Sequence, residues 1–199
     1  MNEKKYEVLA MEPLYRGHFR ADRWHVRHTL FRGGWSPVHQ LEIFERGHAV
    51  AVLPYDARAD AVVLVEQFRA AASQTTADPW LLEAIAGAMK PGEVPQEVAR
   101  REAMEEAGLV LGELRYVSRV LPSCGAMTEE LHVFVAPVDS GAAGGIHGHD
   151  AEHEEMRVHV VAFDEALAMV ESGRIVAGNT VVPVLWLALH RAELRAAWG

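Results

Sequence analysis

Three glutamates near the middle of the chain, Glu102, Glu105 and Glu106, are spaced for acid–base or metal chemistry. Pro95 suits a first helical position and Gly108 a helix end, so the stretch between them is predicted to be a helix of about three turns. On that helix the carboxylates share one face, where like charges repel by roughly 0.2–0.5 kcal/mol per pair. They also crowd the negative end of the helix dipole. Either a cation such as Mg²⁺ or Mn²⁺ binds there, or the carboxylates form a solvated acidic face.

The wider spacing favours the metal alternative. Gly87 is followed after five residues by Glu93, after seven more by Arg101-Glu102, and then by Glu105-Glu106 and Gly108-Leu109. This pattern resembles the signature of the Nudix hydrolases at every fixed position, with the small Ala103 in one hydrophobic slot. Residues 66–73, 79–93, 146–148 and 155–161 further resemble the bacterial ADP-ribose diphosphatases of that superfamily, and the resemblance covers nearly the whole chain. It implies an α+β fold, the Nudix α/β/α sandwich with a mixed sheet, preceded by a small N-terminal antiparallel β segment.

Hydrophobic alternation and turn residues indicate where the elements lie. Before the signature we predict strands at 6–15, 24–31 and 38–44, a hairpin of 48–56 with 61–69, and a strand at 80–86 that leads into the signature loop 87–93. After the signature helix we predict strands at 114–120, 131–136 and 156–162 and packing helices at 163–172 and 181–198. We expect residues 1–46 to be a β segment for dimerisation and substrate contacts, and residues 47–199 to be the Nudix hydrolase domain.

The resemblance implies metal ligands and catalytic groups. The ligands would be the Ala86 carbonyl, Glu102, Glu106 and Glu154, which would hold two or three Mg²⁺ ions, with Mn²⁺ as an alternative. The catalytic base would be Glu152, which follows a glycine-rich loop; without the resemblance, Glu152 and Glu154 would be read as solvated charges. Arg101 and Glu93 would position the acidic groups. Glu105 remains either ligand or base, because the spacing does not separate the two.

The resemblance also implies a reaction, the hydrolysis of ADP-ribose to AMP and ribose 5-phosphate. The substrate-binding residues it implies are His18, Phe19, Leu41, Glu42, Arg46, Arg69, Ala88, Ser123, Gly125 and Glu129. It implies a homodimer in which N-terminal segments pack across the interface; packing within one chain is the alternative. For Arg69 and Glu129, ordinary surface charge is the alternative.

Two departures from these relatives bear on the substrate. Gln40-Leu41 stands where relatives have arginines, and Ser123-Cys124-Gly125 stands where they have Ser-Pro-Gly. Losing an arginine removes a stacking or bidentate contact. Hydrolysis of another nucleoside diphosphate sugar, such as GDP-mannose or ADP-glucose, therefore stays an alternative. A module that binds a nucleotide sugar without cleaving it is a further alternative, although binding alone does not need a repulsive acidic cluster.

Composition narrows the classes of partner and compartment. The net charge of −9 argues against a nucleic-acid partner and an RNA-processing role, because a phosphate backbone needs a positive surface. A single cysteine fits a reducing cytoplasm, and the longest apolar run, 181–189, is too short to span a bilayer. We expect Cys124 to be a small half-buried filler rather than a nucleophile. We also expect no zinc site at His147, His149 and His153, because their loop is glycine-rich.

Overall fold

The computed structural model describes residues 3–148 and 154–199, which form two compact units. The first unit ends at His48 and also includes Leu121–Glu130; the second comprises Ala49–Val120 and Leu131–Gly199. The elements of the described residues are, in order, β1 (Tyr6–Arg16), β2 (Arg20–His28), β3 (His39–Glu45), β4 (His48–Asp56), β5 (Ala61–Phe68), β6 (Trp80–Glu83), β7 (Ile85–Met89), α1 (Pro95–Ala107), β8 (Arg115–Val120), β9 (Leu131–Pro137), β10 (Ile146–His147), β11 (Met156–Ala162), α2 (Phe163–Glu171) and α3 (Gly178–Trp198).

The first unit is an antiparallel sheet in the order β1-β2-β3. The prediction of a strand at 24–31 is wrong at both ends, since β2 runs from Arg20 to His28. The strand starts early because Arg20 already pairs with Arg16 across a tight turn. It stops early because the chain turns back after His28, with Thr29 bridging Trp35. The segment 121–130 joins this sheet at Phe44, whose N–H donates to the Ala126 carbonyl at 2.7 Å.

The second unit is built on a mixed sheet in the order β10-β11-β5-β4-β9-β8, with β6 also paired to β5 and β7 to β4. The β4–β9 pair is parallel and the pairs β5–β6, β5–β11 and β8–β9 are antiparallel. Strands β4 and β5 lie at its centre and are buried on both faces, which is why their sequences are nearly continuous apolar runs.

Helices cover both faces of this sheet. On one face Val98, Ala99 and Ala103 of α1 pack with Val63 and Val65. On the other, Phe163 of α2 and Val184, Leu187 and Leu194 of α3 pack with Val62 and Leu64. The three layers confirm the expected α/β/α sandwich. No helix within residues 3–148 and 154–199 is long and apolar enough to cross a membrane.

The prediction of a single strand at 80–86 is wrong, because this segment forms two strands, β6 and β7, and β7 contains the first signature residue, Gly87. Strand β6 pairs with β5, whereas β7 pairs with β4, and the chain changes partner at Ala84. The buried Ala84 N–H donates to the Thr180 hydroxyl of α3 at 2.7 Å, which satisfies a backbone donor that the ladder would otherwise leave unpaired. Consequently Gly87 belongs to β7 and does not lie in a loop.

Helix α1 begins and ends as its sequence predicts. Pro95 occupies the first turn and Glu97 adds an acidic side chain there. Gly108 adopts a left-handed conformation with φ of 65°, and the Leu109 N–H returns to the Ala103 carbonyl at 3.0 Å. Helix α1 therefore ends directly after the turns that contain Glu102, Glu105 and Glu106.

Candidate active site

The signature glycine and the first signature glutamate of the helix lie directly against each other. A Cβ atom placed on Gly87 would lie 1.9 Å from Oε1 of Glu102 and 2.0 Å from its carboxyl carbon. The Glu102 side chain therefore occupies the space that any other residue at position 87 would fill. Strand β7 and helix α1 together fix this carboxylate beside the strand backbone.

Glu106 lies one turn further along α1 and is the more buried of the two, with 5% of the residue exposed. The Ala86 N–H lies 3.4 Å from its Oε2. Burial, together with the negative charge of Glu102, raises the pKa of Glu106 to about 8. Burial likewise raises the pKa of Glu102, although the neighbouring Arg101 opposes the shift. Without a cation the ionised form of the buried Glu106 is therefore disfavoured, whereas the charge of Glu102 is partly offset by Arg101.

Arg101 lies close to three signature carboxylates. It pairs with Glu102 at 2.8 Å and with Glu105 at 3.1 Å, and Glu93 lies 3.9 Å away. Glu93 also accepts a hydrogen bond from the Lys90 N–H at 2.7 Å, which ties the loop before α1. The Glu105 side chain is 48% exposed and lies beside Arg101, whereas Glu106 is buried. The three signature glutamates of the helix, Glu102, Glu105 and Glu106, therefore lie in different environments.

Arg69, at the end of β5, pairs with a carboxylate that sequence reasoning missed. Its Nη2 lies 2.7 Å from Oε2 of Glu83, a side chain only 5% exposed. The Gln67 amide lies 3.4 Å from the same oxygen. Burial would lower the pKa of Arg69, but the contacts with Glu83 and the charges of Glu106 and Glu154 raise it. The signal for this pair was present, since Gln67 and Glu83 are polar residues inside otherwise apolar strands.

Glu154 lies just before β11, and its charge raises the pKa of both Glu102 and Glu106. The proposed base, Glu152, lies outside the described residues, as do His149 and His153. The remaining loop histidine, His147, contacts the Gly144 carbonyl at 2.9 Å. It also packs near the end of α1, where a Cβ on Gly108 would lie 3.2 Å from its ring.

The donor set around Glu106 fits a hard divalent cation. It consists of the carboxylate oxygens of Glu102 and Glu106 beside the Ala86 backbone, and oxygen is the ligand type that Mg²⁺ prefers. A cation there would stabilise the ionised form of a buried carboxylate whose pKa is about 8 without one. Across the described part of the chain, no three His, Cys, Asp or Glu side chains already converge as a closed ligand set.

In the first unit the structure brings together four of the predicted substrate residues. The rings of His18 and Phe19 lie 4.6 Å apart, and Phe19 lies 5.4 Å from Phe44. The Arg46 guanidinium lies 5.8 Å from the centre of the Phe19 ring and 3.5 Å from Glu129. Glu129 is 5% exposed, so the alternative of an ordinary surface carboxylate is wrong.

The other predicted substrate residues are exposed. Leu41 is 40% exposed, and Glu42 lies 3.5 Å from Arg23. In the second unit Ala88 is exposed on β7. Ser123 and Gly125 lie in an exposed turn with Cys124. The expectation of a half-buried cysteine is wrong, because Cys124 is exposed in a tight turn whose Ala126 and Met127 N–H groups donate to the Ser123 carbonyl.

Comparison with known proteins places this geometry in a family. Residues 45–179 match the NUDIX domain. The chain is 46% identical over 193 residues to an ADP-ribose pyrophosphatase of Escherichia coli K12, covering 97% of this chain and 92% of that protein. It is 40% identical over 200 residues to an ADP-ribose pyrophosphatase of Haemophilus influenzae, covering 99% and 92%. A GDP-mannose pyrophosphatase of Salmonella typhimurium is 37% identical over 157 residues, covering 78% and 81%.

The fold is shared with a solved structure as well. A crystal structure of an ADP compounds hydrolase superposes with a TM-score of 0.71 over 97% of this chain and 96% of that one, at 18% identity. The domain match over residues 45–179, the relatives matched over nearly the whole chain and the buried Glu106 of α1 all indicate the same family. The chain belongs to the Nudix family and is a Nudix hydrolase.

Proposed function

We propose that this enzyme hydrolyses the diphosphate of ADP-ribose to give AMP and ribose 5-phosphate. The relatives that it matches over nearly their whole length are ADP-ribose pyrophosphatases. The observation that carries the chemistry is the buried Glu106 beside Glu102 and the Ala86 backbone, an acidic site in which burial and the charge of Glu102 disfavour the ionised form of Glu106 unless a cation binds. A doubly charged diphosphate repels an attacking hydroxide, so a site that gathers cations suits this reaction.

Nudix hydrolases generally need divalent cations, usually Mg²⁺. We propose that Glu102, Glu106, the Ala86 carbonyl and Glu154 hold two or three Mg²⁺ ions, with Mn²⁺ as a substitute. When bound, the ions supply charge neutralisation for the diphosphate and lower the pKa of a water molecule. The closeness of Glu102 to Gly87 and the burial of Glu106 support these assignments, because both carboxylates are held where a cation gains most from them.

The protein groups around this site are proposed to move the proton and orient the diphosphate. Glu152 accepts the proton of the attacking water as general base. Arg69 contacts the diphosphate, supported by its place within reach of the charges of Glu106 and Glu154. Arg101 and Glu93 keep Glu102 in register through their ion pairs. Glu105 is proposed to help Arg101 in this role, since it is exposed and paired with that side chain.

We propose that residues of the first unit recognise the nucleoside and the terminal ribose. The adenine contacts are assigned to His18, Phe19, Leu41, Glu42 and Arg46, and the contact with the terminal ribose to Glu129. Ser123 and Gly125, and Ala88 of the second unit, are proposed as further substrate contacts. The aromatic rings beside Arg46 support the adenine assignment, because a planar base stacks on rings and on a guanidinium.

A homodimer is proposed, with residues 1–46 as the dimerisation and substrate-contacting segment and residues 47–199 as the hydrolase domain. Among the described residues of the first unit no apolar side chain is buried, whereas Tyr6, Leu9 and Met11 are more than half exposed. A sheet without a core of its own gains stability when a second surface covers it.

The exposed thiol of Cys124 supports a cytoplasmic location, where thiols stay reduced.

A second substrate class is favoured by one comparison. The 37% identical GDP-mannose pyrophosphatase, together with Leu41 and Cys124 at positions where the ADP-ribose relatives differ, supports another nucleoside diphosphate sugar as substrate. The test is a hydrolysis panel with Mg²⁺ on ADP-ribose, ADP-glucose and GDP-mannose, with products identified by mass. We expect kcat/KM to be highest for ADP-ribose. A preference for another sugar would keep the metal chemistry and overturn the substrate assignment.

A further inference from the structure

Glu83 lies inside the sheet on the face that α1 covers. It pairs with Val65 across the β5–β6 ladder, and Val65 packs against the α1 layer. Gln67 of β5 and Arg69, which continues the extended backbone just after β5, follow Val65 at two-residue intervals, so their side chains extend toward the same face. The structure thus puts a carboxylate, an amide and a guanidinium in a row under the acidic helix.

The contacts of this row are dense. Arg69 Nε lies 3.2 Å from both oxygens of Glu83, and Nη2 lies 2.7 Å from one of them. Gln67 adds a contact of 3.4 Å. A fork of two guanidinium nitrogens on one carboxylate fixes the plane of Arg69 as well as its position.

Stability alone does not explain this pair, in which Glu83 is buried while the Arg69 side chain is 41% exposed. The cost of removing two charges from water roughly cancels their attraction, and an apolar pair of similar volume is often as stable. Arg69 also lies in the field of Glu106 and Glu154, which attract it. Without Glu83, the guanidinium would turn toward these carboxylates and occupy the space that cations need.

We propose that Glu83 is a positioning residue that holds Arg69 toward the diphosphate and away from the metal-binding carboxylates. This inference rests on the proposed function, in which Arg69 contacts the substrate. Glu83 acts through Arg69 in two ways, by presenting a guanidinium in a fixed plane and by keeping it from competing with the cations.

The test compares Glu83→Gln with Glu66→Gln in steady-state kinetics and in Mn²⁺ binding without substrate. Glu66 is the matched control. It follows Val65 in β5, so its side chain extends from the opposite face of the sheet, where it lies 3.0 Å from the His159 ring. For Glu83→Gln we expect KM to rise by roughly tenfold to a hundredfold with kcat changed less than about threefold. We expect Mn²⁺ affinity to fall by about tenfold. Glu66→Gln should match wild type in both.

A double-mutant cycle separates positioning from a general structural defect. In an Arg69→Ala background, Glu83→Gln should add little to KM, because the group through which it acts is gone. The Mn²⁺ affinity lost in Glu83→Gln should return in the double variant, since no guanidinium competes with the ion. Loss of Mn²⁺ binding that persists without Arg69 would overturn the inference.

Folding and substrate are controlled separately. Thermal unfolding of each variant monitors the fold, and Glu83→Asp, which keeps the charge but shortens the side chain, should give an intermediate KM if Glu83→Gln does not fold. If wild type does not hydrolyse ADP-ribose, the proposed function fails. The double-mutant cycle is then measured as KM for the nucleoside diphosphate sugar that wild type does hydrolyse, and as Mn²⁺ affinity. If wild type is active and Glu83→Gln behaves like Glu66→Gln, the positioning role fails alone.

Discussion

Replacing Gly87 with alanine tests how the signature strand and helix create the site. The new Cβ would lie 1.9 Å from Oε1, 2.0 Å from the carboxyl carbon and 2.5 Å from Cγ of Glu102, where separations below 3.0 Å do not occur. The carboxylate must therefore retreat by at least about 1 Å. Displacement of a reacting group by about 1 Å can cost a factor of about 10² in rate, which corresponds to about 2.7 kcal/mol in the barrier.

The fold should survive this substitution. The atoms that must give way are the end of a flexible side chain, and moving it to a poorer rotamer costs about 0.5–1.5 kcal/mol. Alanine also loses less backbone entropy than glycine in a strand, which offsets part of that cost. We therefore expect a loss of turnover with almost no change in the free energy of unfolding.

The assay measures kcat against Mg²⁺ concentration, Mn²⁺ affinity without substrate, and thermal unfolding. Gly87→Ala should lower kcat by about a hundredfold and weaken Mn²⁺ binding. Gly178→Ala is the control, because a Cβ there would meet nothing within 4 Å. Wild-type turnover and metal dependence in a folded Gly87→Ala protein would refute the reasoning that this close approach sets the metal site.

Three further predictions concern stability and the exposed thiol. Burial would raise the pKa of Asp56, but hydrogen bonds from the 58–59 backbone and from Ser140 hold it at about 2, below the 3.8 of an unfolded chain. The ionised Asp56 therefore stabilises the fold by about 2 kcal/mol above pH 4, and this contribution is lost as pH falls through about 2. The free energy of unfolding of Asp56→Asn, measured by denaturant titration, should be lower than that of wild type by about that amount at neutral pH. An acid unfolding transition that is the same in both proteins would contradict this. Asp60 accepts a hydrogen bond from Arg191 of α3 at 3.0 Å, and its backbone has a φ of 55°. Asp60→Ala should therefore lower the free energy of unfolding in urea by about 2–4 kcal/mol. A loss below about 0.5 kcal/mol would contradict a stabilising role for this pair. Cys124→Ser should keep wild-type turnover, which a tenfold loss would disprove.

The fixed spacing of the signature predicted α1 and its ends because these depend on local rules. Pro95 and Gly108 act through backbone conformation within a few residues, so a single sequence is sufficient to locate them. The same holds for the apolar runs of β4 and β5, which are continuous because both faces are covered.

Features that depend on distant partners were not predictable in this way. The change of partner at Ala84 depends on the hydroxyl of Thr180, 96 residues away. The pairing of Glu83 with Arg69 needs the β5–β6 register, which periodicity does not supply. The separation of Glu105 from Glu106 follows from which side of the helix meets strand β7, and the spacing of the glutamates alone left both on one face.

The central claim is that Glu106 is a buried ligand for the cations that drive diphosphate hydrolysis, and Glu106→Gln tests it most directly. The measurement is steady-state turnover of ADP-ribose with saturating Mg²⁺, with AMP and ribose 5-phosphate quantified by mass and the fold checked by thermal unfolding. We expect kcat to fall by a factor of about 10² or more. The metal-free protein should stay as stable as wild type, because burial already favours the neutral form of Glu106 and the glutamine amide is neutral too. Near-normal turnover by a folded Glu106→Gln protein would contradict the account.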